Sequence, residues 1–177
     1  WGSFCQRQQD AAYNHAVTTF GSQYRWMGFF DIDEFVIPLK QDNFNEVFRQ
    51  FEDQPCVALP WHMFGTSGHQ DPPTGPVLEN YVMREPFPPD PRKYVVVRLK
   101  VFVDPAKVRL MGIHRADLDG LGMVSFAQNG MVFDQDTRHS AEILACEYLQ
   151  LHHYYTRSRK DFADKLEKGG GANACTT

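Results

Sequence analysis

The sequence contains no apolar run long enough to cross a membrane and does not open with a signal-peptide pattern. It has no C-x-x-C pair: Cys5, Cys56, Cys146 and Cys175 lie far apart. That spacing speaks against a structural zinc site or a dense disulfide framework and leaves four ordinary thiols. Positive charge is not in excess either. Lys and Arg number 18 against 22 Asp and Glu, a net charge of −4, which argues against a nucleic-acid binder resting on a broad basic surface. There is no internal repeat and no clear linker, so residues 1–177 read as a single domain. An initiator methionine is missing too: the chain opens on Trp1, and the expectation is that residues precede it.

What is present fits one folded domain with a real core, since 42% of the 177 residues are apolar and 14% aromatic. The most informative stretch is Trp26 to Pro38. A short aromatic-rich run ends abruptly in Asp31, Asp33 and Glu34 before apolar residues resume. The run predicts a buried strand with its acids at the rim of a sheet. On an extended backbone, Asp31 and Asp33 point to the same side, because side chains alternate with period two. Carboxylates held that close suit a hard divalent cation, magnesium or manganese.

Around this stretch, helices and strands alternate. Gln8 to Phe20 predicts a helix with Tyr13, Ala16 and Val17 on its apolar face, His15 off it, and Gly21 as a stop. Asn43 to Phe51 predicts a second, capped by Asn43 with Glu46 at the capping-box position. Cys56 to Pro60 reads as a buried strand, giving an α/β layer architecture. From Trp61 to Pro91 the chain has many prolines and glycines and few regular signals, a pattern typical of a functional loop. There Gly65 and Gly68 permit close backbone approach to a ligand, and Trp61 offers a flat face to a sugar or base. Tyr94 to Val103 alternates as a half-exposed strand with Arg98 and Lys100 on a basic face. Val108 to Ile113 predicts a further strand that leaves His114 at its end. Short strands follow at Met123 to Phe126 and Met131 to Phe133, then an apolar stretch from Leu149 to Tyr155 around His152 and His153. Ser158 caps a last helix, with Asp161 in its first turn and the glycines 169–171 at its end.

Three chemistries use an aspartate pair after an apolar strand. A calcium loop needs further oxygen ligands and a glycine at fixed spacing, and Phe35 and Val36 break that pattern. A phosphatase of the aspartyl-phosphate type would use Asp31 as nucleophile and Asp33 as general acid, but Phe35 stands where such enzymes carry threonine or valine. Nucleotide-sugar transfer would use a metal on the D-x-D to neutralise the leaving diphosphate. A non-catalytic carbohydrate-binding remnant is the reading outside enzymology.

Four blocks occur in order: Trp26-x4-Asp31-Ile32-Asp33-Glu34-Phe35, Trp61-x2-Phe64-Gly65-x2-Gly68-His69, Lys100-x4-Pro105-x2-Val108-x5-His114 and His153-Tyr154-x-Thr156-x-Ser158-x3-Phe162-x2-Lys165. Together they resemble glycosyltransferase family 92 and the related family-2-type transferases. The resemblance implies a GT-A-like mixed sheet flanked by helices and metal-dependent, inverting transfer from a nucleotide sugar to a glycan or other hydroxyl acceptor. UDP-galactose is a precedent among donors, and manganese, or magnesium in its place, is the implied cation. By the same resemblance Asp31 and Asp33 are the D-x-D, and His114 or His153 adds the later metal ligand, with His114 preferred. Lys100 faces the diphosphate, while Trp61, Gly65, Ser67, Gly68 and His69 contact donor or acceptor. The base that takes the acceptor proton is Glu34, Glu79 or Asp71, and spacing does not separate them. One departure matters: only about one helix precedes Asp31, where the family places nucleotide-binding strands. The expectation is a fragment of a larger transferase, its metal and acceptor half. Eukaryotic members are Golgi-lumenal behind a membrane anchor and bacterial relatives are cytoplasmic, so any anchor would precede Trp1.

Overall fold

A computed structural model of the chain describes residues 2–87, 97–138 and 140–168, with side chains from residue 8 onward. The start of the strand expected from Tyr94 and the glycines 169–171 fall outside the described residues. The architecture is mixed α/β, as expected. Helix α1 (Gly2–Phe20) leads to β1 (Met27–Gly28), β2 (Glu34–Pro38), α2 (Phe44–Phe48) and β3 (Cys56–Met63). A short helix α3 (Val77–Asn80), strand β4 (Leu99–Val103) and the hairpin β5 (Val108–Met111) and β6 (Ala116–Leu118) follow. The two-residue pair β7 (Ser125–Phe126) and β8 (Val132–Phe133), strand β9 (Leu149–His153) and helix α4 (Arg159–Glu167) complete the described chain. No helix among the described residues is long and apolar enough to cross a membrane.

The main sheet runs β1-β4-β3-β9-β2 and is antiparallel except where β3 meets β9. Strand β3 holds it together by changing partners: residues 56–60 pair with β4 and 61–63 with β9. The strand was expected to stop at Pro60. It continues because the missing amide of Pro60 falls where β3 passes from one neighbour to the other, so little of the ladder is lost.

Period-two alternation sorts the side chains onto two faces. One face carries Cys56, Ala58, Leu99, Val101 and Val103, packed against Met111, Leu118, Phe133 and Ile143, with Tyr13 and Val17 of α1 at the margin. Asn14 clamps α1 to β5 by donating to the Met111 carbonyl and accepting from the Met111 amide. His15 is exposed, as expected from its position off the apolar face. The other face carries Val57, Leu59, Leu149 and Leu151 under Val47 and Phe51. Asn43 caps α2 as predicted, accepting from the Asn45 amide, but Glu46 pairs with Arg49 instead of completing a capping box.

Two expectations need correcting. The basic face expected of this strand is exposed only at Arg98, just before β4: Lys100 is on the side opposite Leu99 and Val101, as its alternation requires, yet it is 0% exposed. The second face of β4 is covered too, by Phe48 of α2 against Phe102 and by Asp31 and Glu34 over Lys100. The run from Trp26 to Pro38 is also not one strand. It is two short strands at opposite edges of the sheet, joined by a crossing that turns at Ile32 and Asp33. The Glu34 amide donates to the Asp31 carbonyl (2.9 Å), so the aspartates sit on a turn and not on one side of an extended backbone. Ile32, between them, is 93% exposed.

The crossing requires a close approach at Gly28, where an added Cβ would lie 2.5 Å from ring carbons of both Phe30 and Phe102. These rings already meet edge to face at 5.0 Å. Gly28→Ala is therefore expected to cost about 1–3 kcal/mol, the usual range for overpacking, read from the shift of the urea midpoint. A midpoint unchanged from wild type would show that the rings move aside freely.

Candidate functional site

The same alternation places Lys100 beside Phe102, Trp61 beyond Leu59, His153 beyond Leu151 and Glu34 before Val36, all on the face under α2. Polar side chains thus gather at the end of an apolar layer. The first group is Lys100 with Asp31 and Glu34. The Lys100 ammonium lies 3.2 Å from Asp31 Oδ2 and 3.8 Å from Glu34 Oε2. Neither contact is a hydrogen bond, the one to Glu34 being too long, so charge alone holds the ammonium. Glu34 Oε2 accepts from the Asp31 amide (2.9 Å), while Oε1 is buried without a partner. Burial pushes the Glu34 carboxyl above its ordinary range against the pull of that amide and of Lys100. Buried this way, Glu34 cannot touch an acceptor hydroxyl. Asp71 and Glu79, the other two candidate bases, are exposed.

The second group centres on Asp33. Its Oδ2 accepts from Lys165 Nζ at 3.0 Å, and its Oδ1 lies 3.6 Å from His153 Nε2. Partial burial opposes ionisation of Asp33, but the His153 imidazole and the Lys165 ammonium outweigh it and hold the carboxyl well below the usual range. The pairing of Glu34 with His153 and the Tyr154 amide on the Asp33 carbonyl (2.9 Å) fix β2 and β9 relative to each other. His153 is the histidine that reaches Asp33. His114, expected at the end of a strand, sits in the β5–β6 turn with Nδ1 3.1 Å from the Leu99 carbonyl. Burial and the nearby Lys100 charge lower its pKa, keeping it neutral.

Trp61 links these groups. Its ring lies 4.2 Å from that of His153 and 5.8 Å from that of His114, and its indole nitrogen is buried without a partner. Trp61 also lines a pocket of about 200 Å³, together with His62, Met63, Phe87, Arg98 and Leu144. That is below the roughly 300–1,000 Å³ of drug-sized ligand sites and suits a single ring.

The glycine-bearing loop is held in place from two directions. Ser67 and Gly68 both have positive φ, 50° and 86°. Ser67 Oγ accepts from the Met83 amide (2.9 Å), and His69 Nε2 lies 3.0 Å from the Asn80 carbonyl. The first amides of α4 close the other side, Arg159 donating to the His69 carbonyl and Lys160 to that of Gln70. His69 therefore braces this loop, and Gly65 joins it to the 81–85 segment through the Met83 carbonyl. Helix α4 begins as predicted, with a reciprocal capping box between Ser158 and Asp161.

The family model of glycosyltransferase family 92 matches residues 3–168. The chain belongs to that family. None of the curated proteins compared with it matches. Membership in family 92 makes a nucleotide-sugar donor and a glycan acceptor the general expectation. In this family 92 chain the fold brings four of the candidates named from the sequence, Asp31, Asp33, His153 and Trp61, to one end of the sheet. Sequence reasoning assigned no role to Lys165 or Tyr155. The Lys165 ammonium sits 3.8 Å over the Tyr155 ring and donates to the Tyr155 carbonyl (3.2 Å) as well as to Asp33. Asp33 and Lys165 are 132 residues apart, and only their shared place in the family's blocks links them before folding.

Proposed function

We propose that this chain carries the cation and acceptor end of an inverting glycosyltransferase that moves a hexose from a UDP-sugar, UDP-galactose first among them, to a hydroxyl of a glycan. The observation that supports this most is the spacing of Asp33 and His153. At 3.6 Å they are too far apart for a hydrogen bond. Two ligands each about 2.1 Å from a common ion lie roughly 3.0–4.2 Å apart, so the pair fits a shared divalent cation. Among the described residues no three His, Cys, Asp or Glu side chains gather to hold a metal. A magnesium-type ion at a diphosphate needs only one or two protein ligands, the rest being phosphate oxygens and water. Asp33 and His153 would therefore hold manganese or magnesium, which when bound neutralises the departing diphosphate.

The remaining work falls to the chain's own side chains. Trp61 offers its ring to the apolar face of a sugar beside the pair and walls the adjoining pocket, where the acceptor sugar would lie. The acceptor proton goes to an exposed carboxylate, Asp71 or Glu79, since Glu34 is enclosed. Asp31 is tied to Lys100 and orients the turn that presents Asp33.

The test is calorimetric titration of the chain with UDP, with and without Mn2+, together with UDP release from UDP-hexoses. The expected result is UDP binding and release that require Mn2+ and fall at least about tenfold in Asp33→Asn. Turnover or binding indifferent to Mn2+ and to Asp33→Asn would end the transferase reading. A phosphatase activity abolished by Asp31→Asn would put the aspartyl-phosphate chemistry in its place.

A further inference from the structure

We infer that Lys165 is an internal counter-cation for Asp33, released on donor binding to become a diphosphate-binding residue. The inference rests on the cation site proposed above. Its starting point is that Asp33 is already neutralised: one oxygen accepts from Lys165 at 3.0 Å and the other faces His153. A divalent ion arriving on Asp33 meets this ammonium on the same carboxylate, and the two positive charges repel. Lys165 has somewhere to go. Its side chain is about one-third exposed, helix α4 fixes its root, and its ammonium already lies over the Tyr155 ring and donates to the Tyr155 carbonyl, contacts that a swing off Asp33 can keep. The root is secured at the far end of α4 by the Ser158–Asp161 capping box and by the amides of Arg159 and Lys160 on the 66–70 loop.

A small swing of the four-carbon stem therefore moves the ammonium off Asp33 while the helix stays put. A diphosphate bound at Asp33 and His153 brings anionic oxygens to the place the ammonium would otherwise have to leave for solvent. The lysine then exchanges a carboxylate partner for a phosphate one with no net loss of charge pairing. Cation and nucleoside diphosphate thus bind with mutual help: the cation alone must displace Lys165, whereas the pair gives it a new partner. Lys100 cannot serve in this way, because its ammonium is enclosed between Asp31 and Glu34 with no exposed surface.

This reading predicts effects of opposite sign from one substitution. In Lys165→Met, Mn2+ alone is expected to bind about fivefold tighter, the ceiling for a partly exposed ion pair. UDP in saturating Mn2+ is expected to bind about tenfold weaker, the loss of a charge-assisted hydrogen bond. Lys165→Arg should restore UDP binding and again weaken Mn2+ alone. Both affinities are read by titration calorimetry, with near-ultraviolet circular dichroism confirming that each variant is folded. A parallel fall of both affinities, or no change in either, makes Lys165 a structural tie and overturns the inference. Mn2+ binding lost in Asp33→Asn but untouched by Lys165→Met overturns this inference alone. No Mn2+ binding in wild type or Lys165→Met, with or without UDP, overturns the cation site and this inference together.

Discussion

Lys100→Met is expected to destabilise the chain by about 3–5 kcal/mol, the cost of stranding a buried charge by removing its partner. The stranded charge is that of Glu34, although Asp31 is the nearer carboxylate at 3.2 Å against 3.8 Å. Exposure decides between them. The Asp31 side chain is 43% exposed and water can solvate it, whereas the side chains of Lys100 and Glu34 are both fully enclosed. Asp31→Asn should therefore cost less than Lys100→Met, because Asp31 is partly solvated and Glu34 still faces the ammonium. Glu34 already has a raised pKa from burial, so without Lys100 its carboxyl either ionises at high cost or takes up a proton at neutral pH. Glu34→Gln placed in the Lys100→Met background removes that choice and should recover at least half of the loss. Urea denaturation of the two single variants and the double variant gives the coupling directly. A double variant no more stable than Lys100→Met would show that the lysine's packing, and not its charge, is what the fold needs.

The same residue shows where sequence reading stopped. Alternation put Lys100 on the correct side of β4, opposite Leu99 and Val101, and only the exposure of that side was misjudged. Period two separates the faces of a strand but does not say whether the second face is covered. Here the cover comes from α2 and from the turn at Asp31, which is 69 positions earlier in the chain. Local signals fared better where the physics is local. The Ser158 cap, the apolar face of α1 and the proline that ends β2 all depend on residues within a few positions of each other. The turn at Ile32 was missed because a short aromatic run cannot show that its two ends belong to opposite edges of the sheet. The site follows the same rule. Asp33 was legible as an acid at a strand end, but its partners His153 and Lys165 come from β9 and α4, and no nearby pattern points to them.

Long-range pairing also governs the second large effect, loss of stability in mild acid. His62 on β3 and His152 on β9 stand opposite each other in the parallel register, rings 5.9 Å apart. His62 is 2% exposed, stacked on Phe87 at 3.9 Å, with neither ring nitrogen hydrogen-bonded. Burial first, then the positive charge of Arg84, hold both histidines down at a pKa of about 4, and His152 adds to the effect on His62. An unfolded histidine titrates near 6.5. Between pH 6.5 and 4 the unfolded chain therefore binds protons that the folded chain refuses, and stability falls as pH falls through that window. Each histidine costs up to about 3 kcal/mol by pH 4, and their coupling makes the sum less than twice that. His114, also lowered, adds in the same direction. Asp33 acts in a separate range: its depressed carboxyl stabilises the fold above about pH 4 and loses that contribution only below it. Replacing His62 with phenylalanine keeps an aromatic ring against Phe87 and removes the titrating group. The urea midpoint of wild type should fall steeply from pH 7 to 4.5, and that of His62→Phe should fall distinctly less. Equal slopes would show that His62 gains a proton in the fold as readily as out of it, and that the β3–β9 interface admits water at the ring.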